Sequence, residues 1–215
     1  LLYTACIIFA SPLKSAPIKR PYKIKDLIFT KDKKWRRTLI AYLFLSGKDS
    51  ITMFLIALLV FKTTGSEFTM GKFVFITAIV AITTSHILGR LSKPATRSGF
   101  ILTGGILYVI PTLILIFHKM DLAALVIYGV LTAAADNFLK IPFSAHAADL
   151  MGLEANAERK MEYIVARDIP IAMGRIVTLG IFLLLIQHLD EGGIKAILII
   201  ISLFPFALYR AVRSG

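Results

Sequence analysis

The chain has 215 residues, 57% of them hydrophobic, and its mean hydropathy is +0.76. A soluble domain of this size would expose much of that apolar surface to water, so the composition excludes an ordinary soluble fold. The formal net charge of +12 does not point to nucleic acid, because the basic residues gather at the ends of apolar runs and on one side.

The first apolar run, Leu1 to Ala10, is too short to span a bilayer and lacks the basic flank of a signal peptide. Residues 1–13 therefore read as the tail of a preceding helix whose beginning is missing, and the chain as a fragment of a longer protein. The single cysteine, Cys6, excludes an intramolecular disulfide. Residues 14–37 form a basic loop with ten Lys or Arg, and Pro12, Pro17 and Pro21 discourage a helix running into it. Such a stretch would lie along an anionic leaflet. Trp35, between Lys33, Lys34, Arg36 and Arg37, is expected to be an interfacial anchor.

Residues 38–215 read as an all-α, polytopic bundle of six spans, since a span needs about 20 mostly apolar residues. The expected spans are Thr38–Phe61, Gly71–Leu91, Gly99–Phe117, Leu122–Ala148, Tyr163–Ile186 and Ile194–Tyr209. The connection Asp149–Glu162 is expected to hold a short amphipathic helix. Seventeen Lys or Arg fall on the side of the 14–37 loop, against four (Lys62, Lys72, Lys119, Lys195) on the other. The positive-inside rule then places both ends of the six-span unit in the cytoplasm, in the plasma membrane of a bacterial cell.

Lys48 and Asp49 lie in the middle of the first span, Asp136 and Asn137 in the fourth, and Arg175 in the fifth. A charge at the bilayer centre costs roughly 2.5–3.5 kcal/mol even on lenient scales, so such groups face a protein interior, pair and line a path. Lys48, Asp49, Asp136 and Arg175 sum to zero, the balance a low dielectric favours. They are the expected substrate or ion pathway, with Asn137 beside them. Lys140, four residues after Asp136, shares its face and can pair with it. Asp168 and Arg175, seven apart, share another face. Asp49 and Asp136 are the candidate proton carriers, with His146 next, because a desolvated carboxylate can load a proton near neutral pH. Pro142, Pro170, Gly129, Gly174 and Gly180 fit helices that bend or approach closely.

His146 and Asp149 raise the rival of a membrane metalloprotease, but H-E-x-x-H is absent, and no metal site is expected. G-x-S-x-G and the P-loop are absent too. No enzyme activity and no cofactor are expected.

The stretch from Gly89 to Gly99 reads GRLSKPATRSG. It resembles the cytoplasmic loop motif G-x-L-x-D-R-x-G-R-R of the major facilitator superfamily. Gly89, Leu91 and Arg97 match; Lys93, Pro94 and Thr96 stand where the family has Asp, Arg and Gly, as in an eroded second-half copy. Helix tail, long basic loop and six spans also follow the layout of that family's carboxy-terminal half. The stretch Glu162–Asp168 with Gly174-Arg175 is similar to the eleventh span of some bacterial members.

The resemblance implies two inverted three-helix repeats with the site near the midplane, lined by the first span of each repeat. Those are the first and fourth spans, which carry Lys48–Asp49 and Asp136–Asn137. It also implies a cytoplasmic gate at Gly89, Arg90, Leu91 and Arg97. The expected function is secondary transport of a small solute by alternating access, coupled to protons. The partners would be that solute, protons, the lipid bilayer and the missing amino-terminal half, with no nucleic acid. The alternative is a self-contained six-span scaffold or membrane-embedded enzyme whose central charges are structural pairs.

Overall fold

A computed structural model describes residues 24–117, 121–152, 159–186 and 191–213. Helix α1 is Ile24–Ile28, α2 Lys33–Thr64, α3 Glu67–Leu91, α4 Arg97–Phe117, α5 Leu122–Gly152, α6 Lys160–Ile186, α7 Glu191–Leu203 and α8 Pro205–Arg213, with a 3-10 turn at Pro94–Thr96. The described residues hold no strand, and six of their segments are long and apolar enough to cross a bilayer. The chain is an all-α bundle and an integral membrane protein. The proposed 1–13 tail and residues 14–23 of the basic loop lie outside the described residues.

Lipid offers no hydrogen bonds, so helix ends and hydroxyls within a span are driven to find partners in the chain itself. Asp32 caps α2 by accepting from the Lys34 N–H at 2.9 Å. At its other end Gly65 takes a left-handed φ of 61° and donates to the Phe61 carbonyl at 2.8 Å. Ser66 at once caps α3, so a two-residue link reverses the chain. Thr63, Thr64, Thr83, Thr112 and Thr132 donate back to carbonyls one turn earlier, which allows a hydroxyl in an apolar span.

Three expectations are corrected here. The first span begins at Lys33, inside the basic stretch, because Asp32 supplies a cap there. Trp35 is 1% exposed and meets Tyr163 of α6 edge-on at 4.7 Å, so it is a packing residue and not an interfacial anchor. The sixth span is broken between α7 and α8, since Pro205 has no N–H to continue the ladder. Across the break, Phe204 donates to the Ile201 carbonyl at 3.1 Å.

The expected helix of 149–162 does not stand apart among the described residues. Its start belongs to α5 and its end to α6, and residues 153–158 lie outside the description.

Helix α2 packs along α6, α4 along α5, α3 against α5, and α8 against α2 and α4. Lipid chains are as apolar as leucine, so close van der Waals approach holds such helices together. Gly174 makes the α2–α6 approach possible: a Cβ there would collide with the Leu43 carbonyl oxygen and Ser46 Oγ. Gly104 does the same for α4 and α5, where a Cβ would lie 2.8 Å from Phe138 Cβ. Gly180, by contrast, faces open space. Pro111, Pro142 and Pro170 lie within α4, α5 and α6. Helix α3 buries only Phe73 and Leu88. The outer face of α6 is likewise open, with Ile176 73% and Leu184 78% exposed.

Candidate functional site

Four charged side chains close a ring between α2 and α5. Lys48 Nζ lies 2.9 Å from Asp49 Oδ1 and 2.5 Å from Asp136 Oδ1. Lys140 Nζ lies 3.0 Å from Asp49 Oδ2 and 3.0 Å from Asp136 Oδ2. Each ammonium thus bridges both carboxylates, and each carboxylate meets both ammoniums. Two positive and two negative charges sum to zero, which removes most of the cost of carrying them in a span.

Local helix geometry sets half of this ring. Asp136 and Lys140 share a face one turn apart. Lys48 and Asp49 are sequence neighbours whose side chains converge on α5 from α2. Lys48 lies 15 residues from the start of α2 and Asp136 lies 14 from the start of α5. At ~1.5 Å per residue both are about 21–22 Å along their helices.

The two cations differ in surroundings. The Lys48 side chain has no exposed surface and its Nζ stands 4.3 Å from the centroid of the Tyr108 ring. That contact gives the ammonium a cation–π partner in addition to its carboxylates. Tyr108 of α4 is itself buried, and its hydroxyl is 2.7 Å from Thr52 Oγ1, one turn beyond Lys48 on α2. Tyr128, 1% exposed, closes the wall beside Tyr108. Lys140 is 38% exposed, Asp49 25% and Asp136 27%. The ring therefore has a closed side at Lys48 and an open side at Lys140.

Of the residues singled out from the sequence, Lys48, Asp49 and Asp136 meet here. Asn137 points elsewhere: its amide donates to the Ala81 carbonyl and to Thr84 Oγ1, each at 2.7 Å, clamping α5 to α3. Arg175 is exposed on the outer face of α6 and has no ion-pair partner among the described residues. Asp168, which shares its face by spacing, pairs with its neighbour Arg167 at 3.0 Å instead. His146 is half-buried ten residues from Asp136, about 15 Å along α5. It lies near a separate pair, Arg97 and Asp149, whose Nη1 and Oδ2 are 2.5 Å apart.

The loop motif divides the same way. Arg97 is buried and ties the start of α4 to the end of α5, whereas Gly89, Arg90 and Leu91 are exposed at the end of α3. Lys140, Tyr108 and Thr52 complete the ring and its wall but were not among the expected site residues. Lys140 was signalled by its spacing from Asp136; the two others depend on how α4 packs.

With this geometry in place, the chain can be set beside known proteins. It is 32% identical over 182 residues to the uncharacterized protein YqgE of Bacillus subtilis. The alignment covers 84% of this chain and 42% of that protein. The chain thus spans less than half the length of the relative it matches. No family model and no solved structure matches it.

Proposed function

We propose that this chain is the carboxy-terminal six-span half of a secondary transporter of the major facilitator type, moving a small solute by alternating access with proton coupling. The observation that carries the reading is the neutral ring of Lys48, Asp49, Asp136 and Lys140 at mid-depth, half closed and half open. A structural ion pair would be satisfied by two groups; four groups with an exposed edge give a site whose charge balance a proton or a solute can alter. The ring joins the first and fourth spans, the helices the family resemblance assigns to the cavity.

Two further features support the reading. The outer faces of α3 and α6 are broad, apolar and exposed, and Arg175 stands on one of them. Facing lipid, that guanidinium would cost roughly 2.5–3.5 kcal/mol, so the face suits protein or a water-filled cavity. The relative of more than twice the matched length supplies room for an amino-terminal half on those faces. The basic residues gather toward the α2 start and the α8 end, which favours a cytoplasmic location for both, in a bacterial plasma membrane. There Arg97 with Asp149, beside Gly89, Arg90 and Leu91, would form the gate on that side. Arg175 would contribute to the pathway from the facing half, and His146 would relay protons between ring and gate.

The test is flux. Asp49→Asn and Asp136→Asn are expected to abolish gradient-driven uptake or efflux in proteoliposomes while insertion is retained. Unchanged flux in both variants would sink the site assignment.

A further inference from the structure

We propose that the elbow joining α1 to α2 is an anionic-phospholipid site, at which Lys25, Lys31, Lys33 and Arg36 hold headgroup phosphates and Phe29 inserts among the acyl chains. The inference does not depend on the transport reading.

The elbow has a packed side and an open side. On the packed side Leu27 is 3% exposed, Ile24 and Ile28 lie against the core, and α1 rests on α6. Trp35 meets Tyr163 of α6 on the same side. Two local bonds fix the bend: the Asp32 N–H donates to Thr30 Oγ1 at 3.1 Å, and Asp32 Oδ1 accepts from the Lys34 N–H at 2.9 Å.

The open side combines charge with an aromatic ring. The Phe29 N–H donates to the Lys25 carbonyl at 3.0 Å, so these two residues lie one turn apart on a face opposite Leu27. Both are exposed, Phe29 by 83%. On α2, Lys33, Arg36 and Ile40 follow one another at helical spacing, exposed on the face opposite Trp35 and Thr38. Lys25, Lys31, Lys33 and Arg36 have no ion-pair partner among the described residues. With Lys34 and Arg37 they set six cations against Asp26 and Asp32, a net charge of +4 over residues 25–37.

This pairing selects the occupant. Water would suit the cations but not Phe29, and hydrocarbon would suit Phe29 but not the cations. The headgroup zone of a bilayer offers both within one turn of helix, and Ile40 marks where the same face of α2 passes into hydrocarbon. Charge attraction alone or one apolar side chain alone gives weak contact, whereas the two together hold a segment at the surface. A zwitterionic lipid brings its own cation and leaves the surplus of +4 unbalanced. An anionic lipid supplies the missing negative charge.

The experiment reads lipid selectivity at Phe29. The full-length protein with Phe29→Trp is reconstituted in mixed phosphatidylcholine and phosphatidylglycerol bilayers, with bromine on the chains of one lipid at a time. The unaltered protein, whose Trp35 is buried, sets the baseline. Quenching of the introduced indole is expected to show a preference for phosphatidylglycerol of about fivefold, the ratio to which the pull of one interfacial cation on an anionic surface corresponds.

Combining Phe29→Trp with Lys25→Gln, Lys31→Gln, Lys33→Gln and Arg36→Gln is expected to keep the quenching and bring the preference close to one. All four positions are exposed, so the variant should fold. Phe68→Trp, at a residue 73% exposed at the start of α3, is expected to show no preference. An indole at position 29 that neither brominated lipid quenches faces water or protein and overturns the proposal. A preference near one in Phe29→Trp, one that survives the four neutralising substitutions, or one equalled by Phe68→Trp overturns it as well.

Discussion

Lys48 of α2 donates to Asp136 of α5 at 2.5 Å, across 88 positions of sequence, and the donor is fully buried. Removing one partner of a buried pair strands the other charge, which costs about 3–5 kcal/mol. Lys48→Met is expected to lose stability of that order in unfolding measurements in detergent. The double variant Lys48→Met/Asp136→Asn leaves Asp49 with Lys140 and is expected to recover more than half of the loss. A double variant no better than the single one would show that the charges are independent.

Asp149→Ala strands Arg97, whose side chain is only 10% exposed, at the joint between α4 and α5. Leaving a buried donor unsatisfied costs about 1–3 kcal/mol. A lower melting temperature is expected for Asp149→Ala, and partial recovery in the swapped pair Arg97→Asp/Asp149→Arg. Because Asp149 is 60% exposed, salt should erode the wild-type advantage.

Helix α6 meets α2 backbone to side chain at Gly174, beside the Leu43 carbonyl. Gly174→Ala forces the helices apart, with an overpacking cost of about 1–3 kcal/mol. Gly180→Ala meets nothing within 4 Å and is expected to be neutral or slightly stabilising. Equal melting temperatures for the two variants would refute the close approach.

The clamp from Asn137 to Ala81 and Thr84 is an interhelical bond within a span. Bonds of this kind contribute on average about 0.6 kcal/mol, with a ceiling of about 1.7. Asn137→Leu is expected to loosen α3 by that amount. Thermal unfolding checks the size, and a loss much above the ceiling would assign Asn137 more than this clamp.

The open face of α6 can be probed through Ile176, which is 73% exposed. In the full-length protein, a Trp introduced there is expected to escape quenching by brominated lipid chains, because a second half covers it. Strong quenching would place lipid on that face and remove one support for the half-transporter reading.

The sequence by itself determined the class of molecule. Six apolar runs of span length and charges at their centres follow from composition and order, because a bilayer imposes length and polarity rules that act on each helix separately. The i, i+4 relation of Asp136 and Lys140 was legible for the same reason, being internal to one helix. Spacing could not place Asn137, Arg175 and Asp168, since a polar residue at mid-span looks the same whether it faces a cluster, a neighbouring helix or the outside. Trp35 misled likewise: basic neighbours suggested an interface, whereas Tyr163 from a distant helix buries it. Only the tertiary structure decided that Lys48 and Asp49 meet Asp136 and Lys140, that Tyr108 seats the buried lysine, and that one lysine is closed in while the other is open. Those facts depend on the rotation and contact of α2, α4 and α5, which Gly104, Gly174 and their partners fix through close packing, and packing across helices leaves no period in the sequence of any one of them.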